Sequence, residues 1–273
     1  MIAAVDAVPA PKGRSIHQLL ENVSASRLTC FHQCRLKFYF SYVLALPRTA
    51  TAALLIGKTD HAVLQFWNKA RWRCQPVDND LLRITFDKSW SALLSEQPVR
   101  WKTDETEEES KVIAWALLET YLLQTPIPAN ERPEGVEVAV EAELSKHGLP
   151  KLVGIIDLVR AGGRIVDFKT ASQTPSPDKA LHMHESQLSC YAIMYREATG
   201  HKESALELHH LVKLKTPKVV ITQSEPMTER QQTRLFKLLE SYVHGLECED
   251  WVPNPNTMSC ACCEYYDNCR TWA

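Results

Sequence analysis

At 273 residues, with 31 basic and 33 acidic side chains and a net charge of −2, the chain has the composition of a globular protein with enough length to bury a substantial core. No apolar run is long enough to span a bilayer and the N-terminus lacks the basic and apolar blocks of a signal peptide, so the expected location is cytoplasmic. Near-neutral charge announces no global nucleic-acid partner; any such surface has to be local, with Lys69, Arg71 and Arg73 or Lys213, Lys215 and Lys218 as candidates.

Residues 1–14, MIAAVDAVPAPKGR, carry Pro and Gly without periodicity and read as a mobile tail. Ser24 or Ser26 is placed to cap a helix through RLTCFHQCRLKFYFSYVLAL. A second helix is expected through TAALLIGKTDHAVLQFWNKARW and a third through NDLLRITFDKSWSALLSEQ. A fourth runs through DETEEESKVIAWALLETYLLQ, whose acidic start suits a helix N-terminus. After the break TPIPANERPEG come strands: VEVAVEAEL, then GIIDLVRAGGRIVDFKT. ESQLSCYAIMYREAT returns to helical spacing, LELHHLVKL and KVVITQ read as strands, and TERQQTRLFKLLESYVHGL as a last long helix. The tail WVPNPNTMSCACCEYYDNCRTWA reads as loop. This order predicts an α/β fold with a mixed central sheet flanked by helices, not an alternating doubly wound one.

The stretch GIIDLVRAGGRIVDFKT places an acid in each of two strand-like runs around Gly162-Gly163. A two-residue loop would mix charge and apolar residues on both faces of the hairpin. A three-residue loop, Ala161 to Gly163, pairs Asp157 with Asp167, Leu158 with Val166 and Ile156 with Phe168. One face then gathers Ile156, Leu158, Val166 and Phe168, the other Asp157, Asp167 and Lys169, and that segregation selects the three-residue register. Opposed carboxylates repel unless a cation sits between them, and a hard divalent ion, Mg²⁺ or Mn²⁺, resolves the conflict. Lys169 adds a point charge able to stabilise an oxyanion or orient a water. On these residues alone, a solvated hairpin face with paired Asp and Lys is the more ordinary explanation.

Other residues sharpen the picture. His61 lies one helical turn after Gly57, which permits close approach of another element, and could add a nitrogen ligand to the Asp157/Asp167 pair. Gln187 and Tyr191 are also one turn apart and could contact phosphate or orient Lys169. Glu141, on the preceding strand, is a further acid. Phe66, Trp67 and Trp72 near His61 could stack on bases or simply pack the core. Nine cysteines, an odd number, argue against a disulfide framework, and four crowd into SCACCEYYDNC. Cys260, Cys263 and Cys269 make C-x2-C-x5-C, with Cys30 or Cys34 able to supply a fourth thiolate from the other end of the chain; four thiolates suit Zn²⁺ or an iron–sulfur cluster.

These motifs, in this order, resemble the PD-(D/E)XK nuclease superfamily, in particular its RecB-like branch. GKTDH looks like the branch's first motif through His61, GIID its G-x-x-D motif through Asp157, DFK its (D/E)-x-K motif through Asp167 and Lys169, and QLSCY its Q-x-x-x-Y motif through Gln187 and Tyr191. SASRLTCFHQCRLKFYF is similar to the stretch preceding an iron–sulfur domain in AddB-like and CRISPR-adaptation nucleases, which favours Cys34 as the partner of Cys260, Cys263 and Cys269. Arg35 stands where such proteins often have proline.

The resemblance implies a restriction-endonuclease-like core forming a single nuclease domain over 1–273, with 24–50 and 251–273 together making a cysteine-cluster subdomain. It implies Mg²⁺ or Mn²⁺ held by His61, Asp157, Asp167 and the Phe168 backbone carbonyl, with Lys169, Gln187 and Tyr191 completing the catalytic set. The cluster is expected to be 4Fe-4S, with structural Zn²⁺ as the alternative. The expected activity is a metal-dependent deoxyribonuclease, an exonuclease acting on single-stranded DNA ends in repair, recombination or adaptation-type processing, with a helicase or adaptation-complex protein as partner. The alternative is a non-cleaving DNA-binding or assembly module on the same fold. No Walker A sequence is present, so no motor is expected within the chain.

Overall fold

The computed structural model describes residues 13–272. The 1–14 tail falls mostly outside them, but Gly13 and Arg14 are placed: the Arg14 N–H donates to the Tyr42 carbonyl at 3.0 Å. The described chain divides into two compact units, one of residues 13–48, 143–151 and 236–272, the other of 49–142 and 152–235.

In chain order the main elements are α1 (Ala25–Gln33), α2 (Ala52–Trp72), α3 (Asn79–Glu96), α4 (Glu107–Gln124), β1 (Gly135–Ala142), β2 (Lys151–Arg160), β3 (Arg164–Ala171), α5 (Pro177–Thr199), β4 (Ala205–Val212), β5 (Lys218–Ser224) and α6 (Glu229–Glu247). Each of the first four helices starts where a side-chain oxygen caps it: Ser24, Thr51, Asp78 and Thr106 accept from the backbone N–H three residues on. Three expectations change. The first helix does not run unbroken: Cys34 is extended, and the chain restarts as Arg35–Phe38 and a π-helical turn Tyr39–Val43. Helix α5 begins at Pro177, eight residues before Glu185, because Pro at the first helical position lacks only an N–H the helix does not need. The C-terminal tail is not all loop but carries short helices Thr257–Ala261 and Tyr266–Thr271.

The second unit holds a mixed sheet in which β1, β2 and β3 run antiparallel in turn, β3 pairs β4 in parallel, and β4 pairs β5 antiparallel. The parallel step needs a crossover, and α5 provides it. The hairpin pairs Leu158 with Val166, Val159 with Ile165 and Arg160 with Arg164, the three-residue-loop register expected from charge segregation. Gly162 and Gly163 take φ of 78° and 71°. One face buries Ile156, Leu158, Val166 and Phe168. They join Leu64, Phe86, Trp90, Leu117 and Tyr121 of α2, α3 and α4 in a continuous core, apart from Ile156, which is buried on the same face. Each such side chain contributes about 1.5–3 kcal/mol. Phe66 and Trp67 pack against this core, while Trp72 is 42% exposed.

In the first unit, Phe31 of α1 meets Phe38 and Tyr242 edge-on, with ring centroids 5.4 and 5.2 Å apart. Gly245 of α6 allows that approach, since a Cβ there would lie 2.5 Å from the Phe31 ring. Among the described residues no helix is long and apolar enough to cross a membrane.

Candidate active site

The backbone ladder between β2 and β3 stops at Leu158 and Val166. One step on, Asp157 Oδ2 accepts from the Phe168 N–H at 2.9 Å, and the His61 Nε2–H donates to the Phe168 carbonyl at 2.9 Å. Both polar groups of one peptide segment are thus satisfied by side chains at the point where the ladder ends. His61 reaches it from α2 because Gly57, one turn earlier, lets that helix approach β3: a Cβ at Gly57 would sit 3.1 Å from Thr170 Oγ1.

The carboxylates are placed differently. Asp157 keeps some exposure, with His61 Nδ1 3.6 Å from its Oδ2. Asp167 is buried; Lys169 Nζ lies 2.7 Å from its Oδ2, and Gln187 Nε2 donates to its Oδ1 at 2.9 Å. Burial, and then the Asp167 carboxylate, push the Asp157 carboxyl up to about 6. Gln187 links the set: its Oε1 accepts from Lys169 Nζ at 3.0 Å, while its amide also donates to the Tyr191 hydroxyl at 2.9 Å. Burial raises the Tyr191 phenol, which stays a neutral donor and acceptor. The expected residues His61, Asp157, Asp167, Phe168, Lys169, Gln187 and Tyr191 therefore lie in one connected array.

One member was not anticipated. Glu137 of β1 faces Asp157, since Val136 pairs with Leu158 and Val138 with Ile156 on either side. Oxygens of Glu137 and Asp157 and a ring nitrogen of His61 all lie within 4.8 Å of one another. Glu137 has φ of 51°, a left-handed conformation that costs a non-glycine residue on the order of 1–3 kcal/mol. Glu141 pairs at Val153, four residues along the strand and on the order of 13 Å away. The alternation VEVAVE puts both acids on one face; only the β1–β2 register selects Glu137.

In the first unit, Cys34, Cys260, Cys263 and Cys269 line one cavity with Lys37 and Tyr265. Backbone N–H groups point at two of the sulfurs, Asn254 to Cys34 at 3.5 Å and Asn256 to Cys260 at 3.4 Å. The extended break at Cys34 separates it from Cys30, whose thiol burial raises to about 11. Cys262 is exposed. The walls are pinned by an ion pair of Lys37 with Glu264 at 2.9 Å, another of Arg35 with Asp250, and the Tyr265 hydroxyl, which donates to the Leu46 carbonyl at 3.2 Å.

Of the basic residues offered as DNA contacts, Arg71 is committed internally. It donates to the Pro128 and Glu131 carbonyls at 2.7 and 2.8 Å and stacks over Trp67.

A mixed sheet flanked by helices, with one Asp and an Asp-x-Lys pair on adjoining strands, is a restriction-endonuclease-like core. The chain belongs to the PD-(D/E)XK nuclease superfamily, whose family profile matches residues 22–270. No curated protein matches it. Among solved structures, an Eubacterium rectale protein provisionally described as an exonuclease aligns at 14% identity and a TM-score of 0.59, covering 95% of this chain and 91% of its own. At that identity the likeness shows the fold. The alkaline exonuclease LHK-Exo of Laribacter hongkongensis aligns at 8% identity and a TM-score of 0.31, over 74% of this chain and 89% of its own, too distant to bear on the argument.

Proposed function

We propose that the chain is a Mg²⁺- or Mn²⁺-dependent deoxyribonuclease acting as an exonuclease on single-stranded DNA ends. The observation that carries this is the convergence of Asp157, Asp167 and Lys169 on the segment whose Phe168 carbonyl is held by His61. His61, Glu137, Asp157, Asp167 and the Phe168 carbonyl would hold the ion. The fit rests on a hard, oxygen-rich donor set, with oxygens of Glu137 and Asp157 and a ring nitrogen of His61 all within 4.8 Å of one another. When bound, the ion supplies Lewis acidity toward a phosphate oxygen and a more acidic water.

The chain's own groups do the rest. His61 would ligate through Nε2 with its proton moved to Nδ1, beside Asp157, giving up the Nε2–H hydrogen bond to the Phe168 carbonyl. Lys169, anchored by Asp167 and Gln187, presents an ammonium that orients the attacking water and offsets charge developing on phosphate. Gln187 and Tyr191 fix the position of that ammonium.

Residues 24–50 and 251–273 are read as a cysteine-cluster subdomain. Cys34, Cys260, Cys263 and Cys269 would hold a 4Fe-4S cluster, with Zn²⁺ as the alternative. Four thiols on one cavity and two N–H groups aimed at sulfur support the fit. The cluster's role is structural, tying distant chain ends in one unit. A cytoplasmic setting and a helicase or adaptation-complex partner complete the reading.

The test uses anaerobically purified protein and single-stranded DNA labelled separately at each end, with Mg²⁺ or Mn²⁺, beside Lys169→Ala. Metal-dependent cleavage lost in the variant supports the reading and gives the polarity. A protein that binds the strand without cutting it, with either metal, is instead a binding module.

A further inference from the structure

The sheet face that carries Asp167 and Lys169 continues past β3. Lys169 pairs in register with His210 of β4, so the two residues share a face one strand spacing, about 4.8 Å, apart. Helix α5 lies over them, and its Gln187 accepts from Lys169 Nζ at 3.0 Å. His184 is one turn before Gln187 on that helix. Its ring centroid lies 6.0 Å from that of His210, with the planes at 54°. The two imidazoles therefore flank the Lys169–Gln187 hydrogen bond on the side away from Asp157, since β2 and β4 lie on opposite sides of β3.

The pair is polar but uncommitted. His210 is 3% exposed, yet its Nδ1 has no hydrogen-bond partner among the described residues. His184, above it, is half-buried, and no described residue hydrogen-bonds its ring. An unpaired polar atom in a half-closed site is costly unless a ligand or solvent meets it. Burial, and then the Lys169 ammonium, hold the His184 imidazole below its ordinary range. Burial, then His184 and Lys169, push His210 down to about 4. Both rings are thus neutral at neutral pH, each with one N–H to donate. The carboxylate that acts on both, Asp167, is already held by Lys169 and Gln187, and Glu185 beside His184 is held by Arg234 at 2.6 and 2.7 Å. N–H donors beside an ammonium, with the local acids occupied, suit a phosphate oxygen.

We propose that His184, seated on His210, is a substrate contact: its imidazole N–H donates to a non-bridging oxygen of the DNA phosphate adjoining the one that is hydrolysed. Asp157 and His210 lie two strand spacings apart across the sheet and two residues apart along it, on the order of 12 Å. One phosphate does not span that distance. With the scissile phosphate served by the ion site and Lys169, the imidazole pair meets the next one along the strand. The proposal rests on the nuclease reading and deepens it by giving the strand a second point of attachment and hence a register. His210 acts through His184 as a positioning residue.

The test uses single strands labelled at one end, each with one uncharged methylphosphonate linkage at a different position, incubated with Mn²⁺ and read as product ladders. Each ladder shows which linkage is cut and so registers the strand on the site. The wild type is expected to cut about ten-fold more slowly where the adjoining linkage, on one side only, is uncharged, the range of one hydrogen bond to a charged group. His184→Phe keeps a ring over His210 and removes the N–H; it is expected to abolish that penalty and to cut unmodified strand about ten-fold more slowly in kcat/KM. His184→Gln keeps an N–H donor without the ring and is expected to retain part of the penalty. A ring needed only for packing gives the reverse order, Phe behaving as wild type and Gln failing in thermal unfolding, and that order overturns the proposal. So does a wild type without a positional penalty, or a penalty equal in wild type and His184→Phe. Binding of unmodified strand by fluorescence anisotropy with a chelator reads the contact without cleavage. Weaker binding by His184→Phe than by His184→Gln, with no strand cut by the wild type, sinks the nuclease reading and leaves the phosphate contact standing. Equal binding by wild type and His184→Phe, again without cutting, overturns both.

Discussion

Glu137 and Asp157 stand directly opposite each other on β1 and β2, and Glu137 holds a left-handed backbone of φ 51° in the middle of its strand. Strain of this kind persists only where the surrounding structure imposes it, and here it brings a second carboxylate to within ligand distance of His61 and Asp157. Burial raises the Glu137 carboxyl, and proximity to His61 and Lys69 offsets part of that.

Replacing Glu137 separates strain from function. Glu137→Gly relieves the positive φ and is expected to stabilise the metal-free protein by about 1 kcal/mol in urea unfolding. The same variant is expected to weaken Mn²⁺ binding by roughly ten- to a hundred-fold in calorimetry, the scale on which groups supporting metal sites act. Unchanged Mn²⁺ affinity would remove Glu137 from the ligand set.

The Asp157 carboxyl, raised to about 6, sets a pH dependence of stability. Its unfolded value is lower, so between about pH 4 and 6 the folded state holds the proton that the unfolded state has released. Metal-free protein should therefore lose stability as pH rises through that window and level off above it. Asp157→Asn, which keeps an oxygen acceptor for the Phe168 N–H, is expected to flatten this slope. At pH 7 it should gain about 2 kcal/mol while losing cleavage. Thermal unfolding across pH, with a chelator present, reads both effects.

Gln187 touches Lys169, Asp167 and Tyr191 at once, so removing it should free the lysine without unfolding the protein. For Gln187→Ala we expect kcat to fall roughly ten- to a hundred-fold with little change in KM. Tyr191→Phe should cost less, and the double variant should cost less than the product, because the two act through one network. A raised KM with kcat unchanged would point to substrate binding instead.

The cysteine cavity makes a discriminating set of variants. Anaerobically purified protein is expected to absorb near 400 nm, and Cys34→Ser, Cys260→Ser, Cys263→Ser or Cys269→Ser to bleach it. Cys30→Ser and Cys262→Ser should keep the colour, since neither residue lines the cavity. Colourless protein containing one equivalent of zinc by elemental analysis would assign the site to Zn²⁺.

The hairpin glycines differ sharply. An added Cβ at Gly163 would meet the Tyr195 hydroxyl at 2.6 Å in a residue already at φ 71°, whereas Gly162 faces open space. Gly163→Ala is expected to cost about 2 kcal/mol or more in chemical unfolding, and Gly162→Asn about 1 kcal/mol or less.

Much of the site was legible before folding because its information is local. Side chains alternate along a strand, so charge segregation around Gly162-Gly163 selected the hairpin register, and with it the shared face of Asp157, Asp167 and Lys169. Helical spacing put Gly57 beneath His61 and Gln187 beneath Tyr191. The order of strands and helices predicted a mixed sheet because each element carries its own period. What the tertiary structure alone decided is non-local. Parity could not choose between Glu137 and Glu141, since both occupy the same strand face, and pairing with the strand beyond the connection 143–150 makes the choice. The break at Cys34 runs against an unbroken helical pattern, and a Cys-lined cavity with residues some 220 positions later accompanies it. Nor does any pattern in VDFKT say that both polar groups of Phe168 leave the ladder for side chains. That follows from where β2, β3 and α2 meet, and a sequence states which faces are compatible without stating which of them come into contact.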